Sequence, residues 1–382
     1  MTNPCLDEYF VTFDSLDAMM DYHDTLTRQT QWLRTPVKNL RVMPIEDAPP
    51  LFIDRSLFDF DVSEEAVADT ASRLGLAIRT EDNPYYRPLR DTAWKSLLDR
   101  AKINGTALSK LSREDLANII NTCLALFGSD ALLLIRHEKV SAVHSGDTRD
   151  YSILPIDALL SYLKYGLDMR FPRAQFERGY TDHATTSASF LLPRQKDDLL
   201  AAYTKILEAH GKAALADALM PGIRFTTSDV GFSSAKISAL LYGLELPFSI
   251  GSVISVEHRW EKKPDEFGEA IDQAFAQFGN VIAKLEGLEN ITLEYPVNAM
   301  TAMCKKLSLP KKAAVEAISM FEMCCGPTAT AHDVFMAMQE ILFLLKTEHT
   351  PQAKLLAVEE TLARALCLHW TEFDLAKVEG YC

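Results

Sequence analysis

The sequence lacks the motifs by which the commonest chemistries are recognised. It has no GxxxxGK[ST] loop, no GxGxxG after a strand-like run, no HExxH and no GxSxG. Nucleotide hydrolysis, nicotinamide chemistry, zincin proteolysis and α/β-hydrolase chemistry therefore lose their usual sequence support. Cysteine is sparse and unpatterned, with seven residues and no CxxC, which argues for free thiols in a reducing compartment rather than a disulfide framework. Sixteen glycines and seventeen prolines are too few for a fibrous or low-complexity chain. The longest apolar stretches, such as Ala131 to Ile135 and Ile341 to Leu345, fall far short of the ~20 residues that a bilayer-crossing helix needs. The opening MTNPCLDEYF has no basic stretch ahead of an apolar one, so it does not read as a secretory signal. These absences lead to the expectation of a cytoplasmic protein without membrane contact.

What is present is an ordinary globular composition. The 382 residues are 48% hydrophobic and 24% charged, enough to bury a real core and to suggest two or three domains. The net charge of −14 disfavours a protein that coats DNA by charge alone, since phosphate contact depends on Lys and Arg. Its distribution softens that objection. Residues 1–130 carry 14 Lys and Arg against 21 Asp and Glu, residues 131–263 carry 16 against 15, and residues 264–382 carry 9 against 17. The acidity lies in the flanks, and the balanced middle third permits a basic face.

Periodicity gives an outline of the fold. Leu16, Met19, Met20, His23 and Leu26 recur at helical spacing. Pro36, Pro44, Pro49 and Pro50 then mark Thr35 to Asp61 as a linker or extended arm. Helices are expected from Ser63 to about Leu76, from Leu89 to Lys102, and from Ser112 to about Gly128. From Ala131 the texture becomes strand-like: Ala131 to Arg136 and Val140 to His144 flank a short polar turn, and Thr185 to Leu192, Gly222 to Thr227 and Ser249 to His258 continue the pattern. Helices are expected between them near Pro155 to Tyr165, Gln195 to His210 and Ser233 to Tyr242. After Pro264 every segment is helix-periodic. The fold class expected is α+β: a central antiparallel sheet with inserted helices, a helical N-terminal segment and an all-helical C-terminal third. The divisions are 1–62 for an N-terminal helix and arm, 63–263 for the core, and 264–382 for a helical domain.

Candidate chemistry is thin. Cys304, Cys324, Cys325 and His332 fit no common zinc spacing, and the apolar helical context of Cys324 favours simple burial. Asp147 and Asp150 in SGDTRDY could form an acid/base pair, but a turn explains Gly and Asp there better. His258-Arg259-Trp260, ahead of Lys262 and Lys263, sets a stacking surface beside positive charge, a combination suited to single-stranded nucleic acid. A Trp closing the core at a strand end is the alternative. Lys164, Arg170, Arg173 and Arg178, interleaved with Tyr165, Phe171, Phe176 and Tyr180, repeat the basic-aromatic character over a surface loop diluted by Asp168 and Glu177. No catalytic residue, metal or cofactor is assigned, because no nucleophile and base stand together.

Three successive segments, ALLLIR at 131–136, VSAVHS at 140–145 and DYSILP at 150–155, resemble a family of phage- and plasmid-like proteins of unknown function. That family has a leucine-rich strand, Arg, a turn, an apolar strand, Ser-Asp-Arg-Tyr and Leu-Pro at this point. The match is loosened by an insertion around Asp147 and Thr148. GIRFTTSDVG at 222–231 resembles the family's strand ending in Asn-Ser-Glu-Val-Gly, with Thr227 for Asn and Asp229 for Glu. A following Cys-Asn-Gly segment is missing from Leu244 to Val253. The resemblance spans about half the chain, from Leu76 to Val256. It implies a mobile-element protein, and the family's mixed sheet and helices invite comparison with single-strand annealing proteins of phage recombination, a fold-level analogy only. On the matched segments, Arg136, Arg149 and Arg224 become candidates for phosphate contact, and Ser228 and Asp229 for a polar cluster. The expected function is non-enzymatic binding of nucleic acid, above all single-stranded DNA, by an oligomer that aligns several such surfaces. The rival is a protein-interaction or inhibitor module, for example against a host defence complex, whose acidic flanks dock on a basic protein or ribonucleoprotein.

Overall fold

The computed structural model describes residues 3–46, 54–244 and 246–380. The chain opens with strand β1 (Phe10–Phe13) and helix α1 (Leu16–Gln29), which Ser15 caps by accepting from the Ala18 amide. Strands β2 (Gln31–Pro36) and β3 (Arg41–Pro44) lead to α2 (Glu64–Ser72), β4 (Leu76–Arg79), β5 (Arg87–Pro88), α3 (Ala93–Ala101) and α4 (Arg113–Leu124). Ser63 and Ser112 cap α2 and α4, each followed by carboxylates in the first turn that suit the positive end of the helix dipole. Then come β6 (Asp130–Arg136), β7 (Lys139–Ser145), α5 (Ile156–Arg170), β8 (Gln175–Asp182), β9 (Thr186–Leu191), α6 (Lys196–Ala209), α7 (Ala213–Ala218), β10 (Met220–Thr227), β11 (Ala235–Tyr242) and β12 (Phe248–Val256). The last third holds α8 (Pro264–Glu289), β13 (Thr292–Leu293), α9 (Pro296–Lys306), α10 (Lys311–Cys324), β14 (Ala329–Thr330), α11 (Ala331–Met338), α12 (Glu340–Thr347) and α13 (Gln352–Ala363).

The α+β class read from the sequence is the one the chain adopts. A six-stranded antiparallel sheet runs β1-β8-β9-β10-β11-β12, and two three-stranded sheets, β2-β6-β7 and β3-β4-β5, stand beside it. Strand alternation sets the two faces of the large sheet. Ile223 and Phe225 of β10, Ile237 and Ala239 of β11 and Phe190 of β9 point into one core with α5, α6 and α8, where Phe225 meets Phe267 edge-on at 5.5 Å. Arg224 points to the opposite face, opposite Ser189 and Ser238 in the register. There α13 supplies Glu359 to Arg224 at 2.5 Å and Glu360 to Lys236. A second core joins the small sheets to α3 and α4 through Leu76, Leu97, Ile120, Leu133 and Val143. In the C-terminal third, Glu289 takes Lys212 at 2.5 Å and His332 Nδ1 at 2.8 Å, and Tyr203 reaches His332 Nε2 at 2.6 Å. Burial alone would raise the Glu289 carboxyl, but His332 and Lys212 hold it down to about 2. Among the described residues, no helix is long and apolar enough to cross a membrane.

Several expectations are corrected. The segment read as a helix from Ser233 to Tyr242 is strand β11, because Ala235, Ile237, Ala239 and Leu241 alternate with Lys236, Ser238 and Leu240 at period two, and every second side chain is needed in the core. The basic-aromatic stretch read as a loop is largely strand β8, inserted between β1 and β9. Gly179 permits that insertion, since a Cβ there would lie 2.8 Å from Met19 Sδ. The N-terminal part is not simply helical: β1 to β5 all precede residue 89. Within the stretch read as an arm, Pro36 and Pro44 end β2 and β3, which are edge strands and so tolerate a missing amide donor. Pro49 and Pro50 lie outside the described residues. The last third carries one short antiparallel pair, β13 with β14. Cys324 is exposed rather than buried, because the inward stripe of α10 follows Ala313, Ala314 and Ala317 and leaves its last residue outside.

Candidate functional site

The end of the central sheet meets α3 across a cleft of about 640 Å³. One wall is α3, which is fixed to β7 by Ser96 Oγ accepting from the Val143 amide at 2.9 Å and Thr92 Oγ1 donating to the Ser141 carbonyl at 2.7 Å. The opposite wall is the β10–β11 turn and the segment that follows β12. Gly231, at φ +82°, turns the chain there, and Ser228 Oγ closes the turn by accepting from the Phe232 amide at 3.1 Å.

At the back of the cleft three rings are layered. His144 lies flat on Tyr151 with centroids 3.6 Å apart and planes 6° from parallel, and Tyr151 stacks on His258 at 5.6 Å and 13°. The backbone carbonyl of Asp229 accepts from both His144 Nε2 at 2.7 Å and the Tyr151 hydroxyl at 2.8 Å. Because a carbonyl only accepts, His144 carries its proton on Nε2. The Asp229 carboxylate is in turn held by Arg136 at 2.6 Å, and Arg136 Nε donates to Thr30 Oγ1 at 3.0 Å. Burial pushes His144 down to about 4 and lowers His258 as well, and it raises the Tyr151 hydroxyl far above its ordinary range. The stack is therefore neutral at pH 7 and offers π faces and hydrogen-bonding edges rather than charge.

Charge is supplied at the rim. Lys95, Arg100 and Lys102 line the α3 side and Arg259 the other. The amides of Trp260 and Glu261 donate to the carbonyls of Arg149 and Thr148, each at 3.1 Å, which brings Arg149 beside the same mouth. Lys95, Arg100, Lys102, Arg149 and Arg259 make no ion pair with any described residue, and Arg100 Nε is buried without a hydrogen-bond partner. One large exposed aromatic, Phe232 at 56% exposure, lines the opening, and Trp260, 69% exposed, follows Arg259 in the chain just outside the lining. Trp260 thus does not close the core. Asp99, Asp150 and Glu257 share the lining, so the excess of positive charge is small. Asp147 and Asp150 serve the turn: Asp147 Oδ1 accepts from the Arg149 amide at 2.9 Å, and Asp150 Oδ2 from Ser145 Oγ at 3.0 Å.

The sequence candidates do not share one surface. Of the sequence candidates Arg259 lines the cleft, Arg149 and Trp260 stand next to it in the chain and are joined by a backbone bond, and Ser228 and Asp229 are buried. Arg136 and Arg224 are corrected as surface phosphate contacts. Each is buried to 9% exposure and committed to a carboxylate, Asp229 and Glu359, since an unpaired guanidinium cannot be buried cheaply. Lys164 on α5 pairs with Asp17 of α1 at 2.9 Å, and Arg170 ends the same helix. Arg173 is exposed in the following loop and Arg178 lies on β8. Of their aromatic neighbours, Phe171 is buried in the main core and Phe176 packs edge-on against Phe190 at 5.4 Å, so neither can stack on a base. Sequence reasoning missed Lys95, Arg100 and Lys102, which stood within an unremarkable amphipathic helix, and Phe232 beside Gly231. No three or more His, Cys, Asp or Glu among the described residues are placed to hold a metal ion. No family model, curated protein or solved structure matches this chain.

Proposed function

We propose that the cleft binds single-stranded nucleic acid without covalent chemistry, the strand's phosphates lying on Arg100, Lys102, Arg149 and Arg259 and its bases on Trp260 and Phe232. The observation that carries this reading is that Lys95, Arg100, Lys102 and Arg259, none with an ion-pair partner among the described residues, line one concave opening together with the exposed ring of Phe232. Exposed rings need free base faces, which a single strand offers and a duplex hides. The carboxylates in the lining keep the affinity modest. An oligomer would align several clefts along one strand.

Fluorescence anisotropy with a labelled oligothymidylate tests it. Log K should fall with log salt at a slope near −3, for about four phosphates on a single strand. Trp260→Ala should weaken binding by about tenfold or more, within the range for loss of one stacked base. Arg259→Ala should flatten the slope by about 0.7. Binding indifferent to all three changes rejects the cleft. No binding at low salt, with a basic protein retained instead, would transfer the case to docking through the acidic flanks.

A further inference from the structure

A second concavity, of about 410 Å³, opens on the polar face of the central sheet between β8, β9, β10 and the helices α12 and α13. It shares no lining residue with the cleft. Its floor is polar: Ser187, Ser189 and Arg224 line it. Arg224 donates Nε to Ser189 Oγ at 3.3 Å and Nη1 to Glu359, and no described residue takes its Nη2. A guanidinium with 9% exposure that keeps a donor open at the bottom of a groove calls for an acceptor from outside. One wall is apolar, made by Leu246, Pro247, Leu342 and Leu355. On the other side Phe10, 53% exposed, stacks on Tyr180 at 5.9 Å.

Charge chooses the valence of the occupant. Arg178, Arg224 and Lys346 line the groove against Glu177 and Glu359, leaving one positive charge uncompensated. We infer that this groove is a binding site for a small monoanionic amphiphile, an alkyl carboxylate, its headgroup on Arg224, Arg178 and the serine hydroxyls and its chain along the leucines. A dianion would bring excess negative charge against Glu359, and a neutral lipid would leave the Arg224 donor unmet. The volume lies in the range of sites for small organic ligands. The site stands independently of the nucleic-acid reading.

The test is isothermal titration of the full chain with sodium octanoate, beside hexanoate, decanoate and octanol. The expected result is saturable binding of one octanoate per chain, tightening about three- to fourfold for each methylene added. Octanol, lacking the charge, should bind about tenfold more weakly. Arg224→Ala would strip Glu359 of its partner and endanger the fold, so the variants are Arg178→Ala and Leu355→Gln at the groove's accessible side. Arg178→Ala should weaken octanoate about fivefold, Leu355→Gln should weaken it and abolish part of the chain-length dependence, and Arg259→Ala in the cleft should change nothing. Absence of saturable heat up to about 1 mM, equal affinity for octanol and octanoate, or octanoate binding unchanged in both groove variants would overturn the inference.

Discussion

Acidification is expected to unfold this protein cooperatively between about pH 6 and pH 4.5, with uptake of about four protons. Five histidines are held neutral in the fold. Burial is the leading cause at each: His23 is pushed down to about 3, His137 and His144 to about 4, His183 well below its ordinary value, and His258 also down. A group whose folded pKa is depressed contributes stability above its unfolded pKa, here about 6.5, and loses it as pH falls towards the folded value. Below pH 6 the unfolded chain binds a proton at His23, His137, His144 and His183 and the folded chain does not. Stability then drops by about 1.4 kcal/mol per pH unit per histidine, or about 6 kcal/mol per unit for the four most strongly depressed. A net stability of about 5–15 kcal/mol is exhausted within about two units. Urea midpoints at pH 7.5, 6 and 5 give the slope directly. His23→Gln, which can keep a bond to Thr181 Oγ1, 2.9 Å from His23 Nε2, should reduce the slope by about one quarter. A nearly pH-independent midpoint would show that these rings titrate normally.

Arg136→Met is expected to cost about 3–5 kcal/mol, because it strands the Asp229 carboxylate in a buried site without its charge partner. Both side chains are about nine-tenths buried, so solvent cannot take over. At about 2–4 °C per kcal/mol the melting temperature should fall by about 10 °C. The double replacement Arg136→Met with Asp229→Leu should recover most of the loss, since a buried ion pair exchanged for apolar groups is often near neutral. Because His144 and Tyr151 hang from the Asp229 backbone carbonyl rather than its side chain, the ring stack should survive in the double variant. Denaturant titration of the four proteins of the cycle measures both terms. A single-variant loss under about 1 kcal/mol would mean that the pair is solvated. For nucleic-acid binding, a defect in an Arg136 variant therefore reports a damaged cleft wall and is to be read only at equal folded fraction.

The elements legible in the sequence were those whose pattern and punctuation agree. The spacing of Leu16, Met19, His23 and Leu26 announces α1, Ser63 and Ser112 announce α2 and α4, and the LLLIR–VSAVHS hairpin is found as β6 and β7. β11 was misread because Lys236 to Leu241 satisfies a helical stripe as readily as an alternating one, and only the pairing with β10 and β12 decides. Partnering is the other thing a sequence hides. Arg136 and Asp229 are 93 positions apart and Arg224 and Glu359 are 135 apart, so nothing local distinguishes a guanidinium that closes an ion pair from one left open, such as Arg259. Trp260 was legible as a stacking candidate. Its alliance with Arg149 depends on two backbone bonds between distant loops, and that of Arg100 depends on how α3 sits on β7.

The account turns on where a strand would lie, and photocrosslinking measures that. The protein is irradiated with a short bromodeoxyuridine-substituted single strand at low salt, digested, and the adducts are mapped by mass. Adducts confined to the peptides holding Lys95 to Lys102, Phe232 and Arg259 to Trp260, and absent from Trp260→Ala at that residue's peptide, are the predicted result. Adducts concentrated on β8 and the α5 terminus, on the C-terminal helices, or on no peptide at all would contradict it.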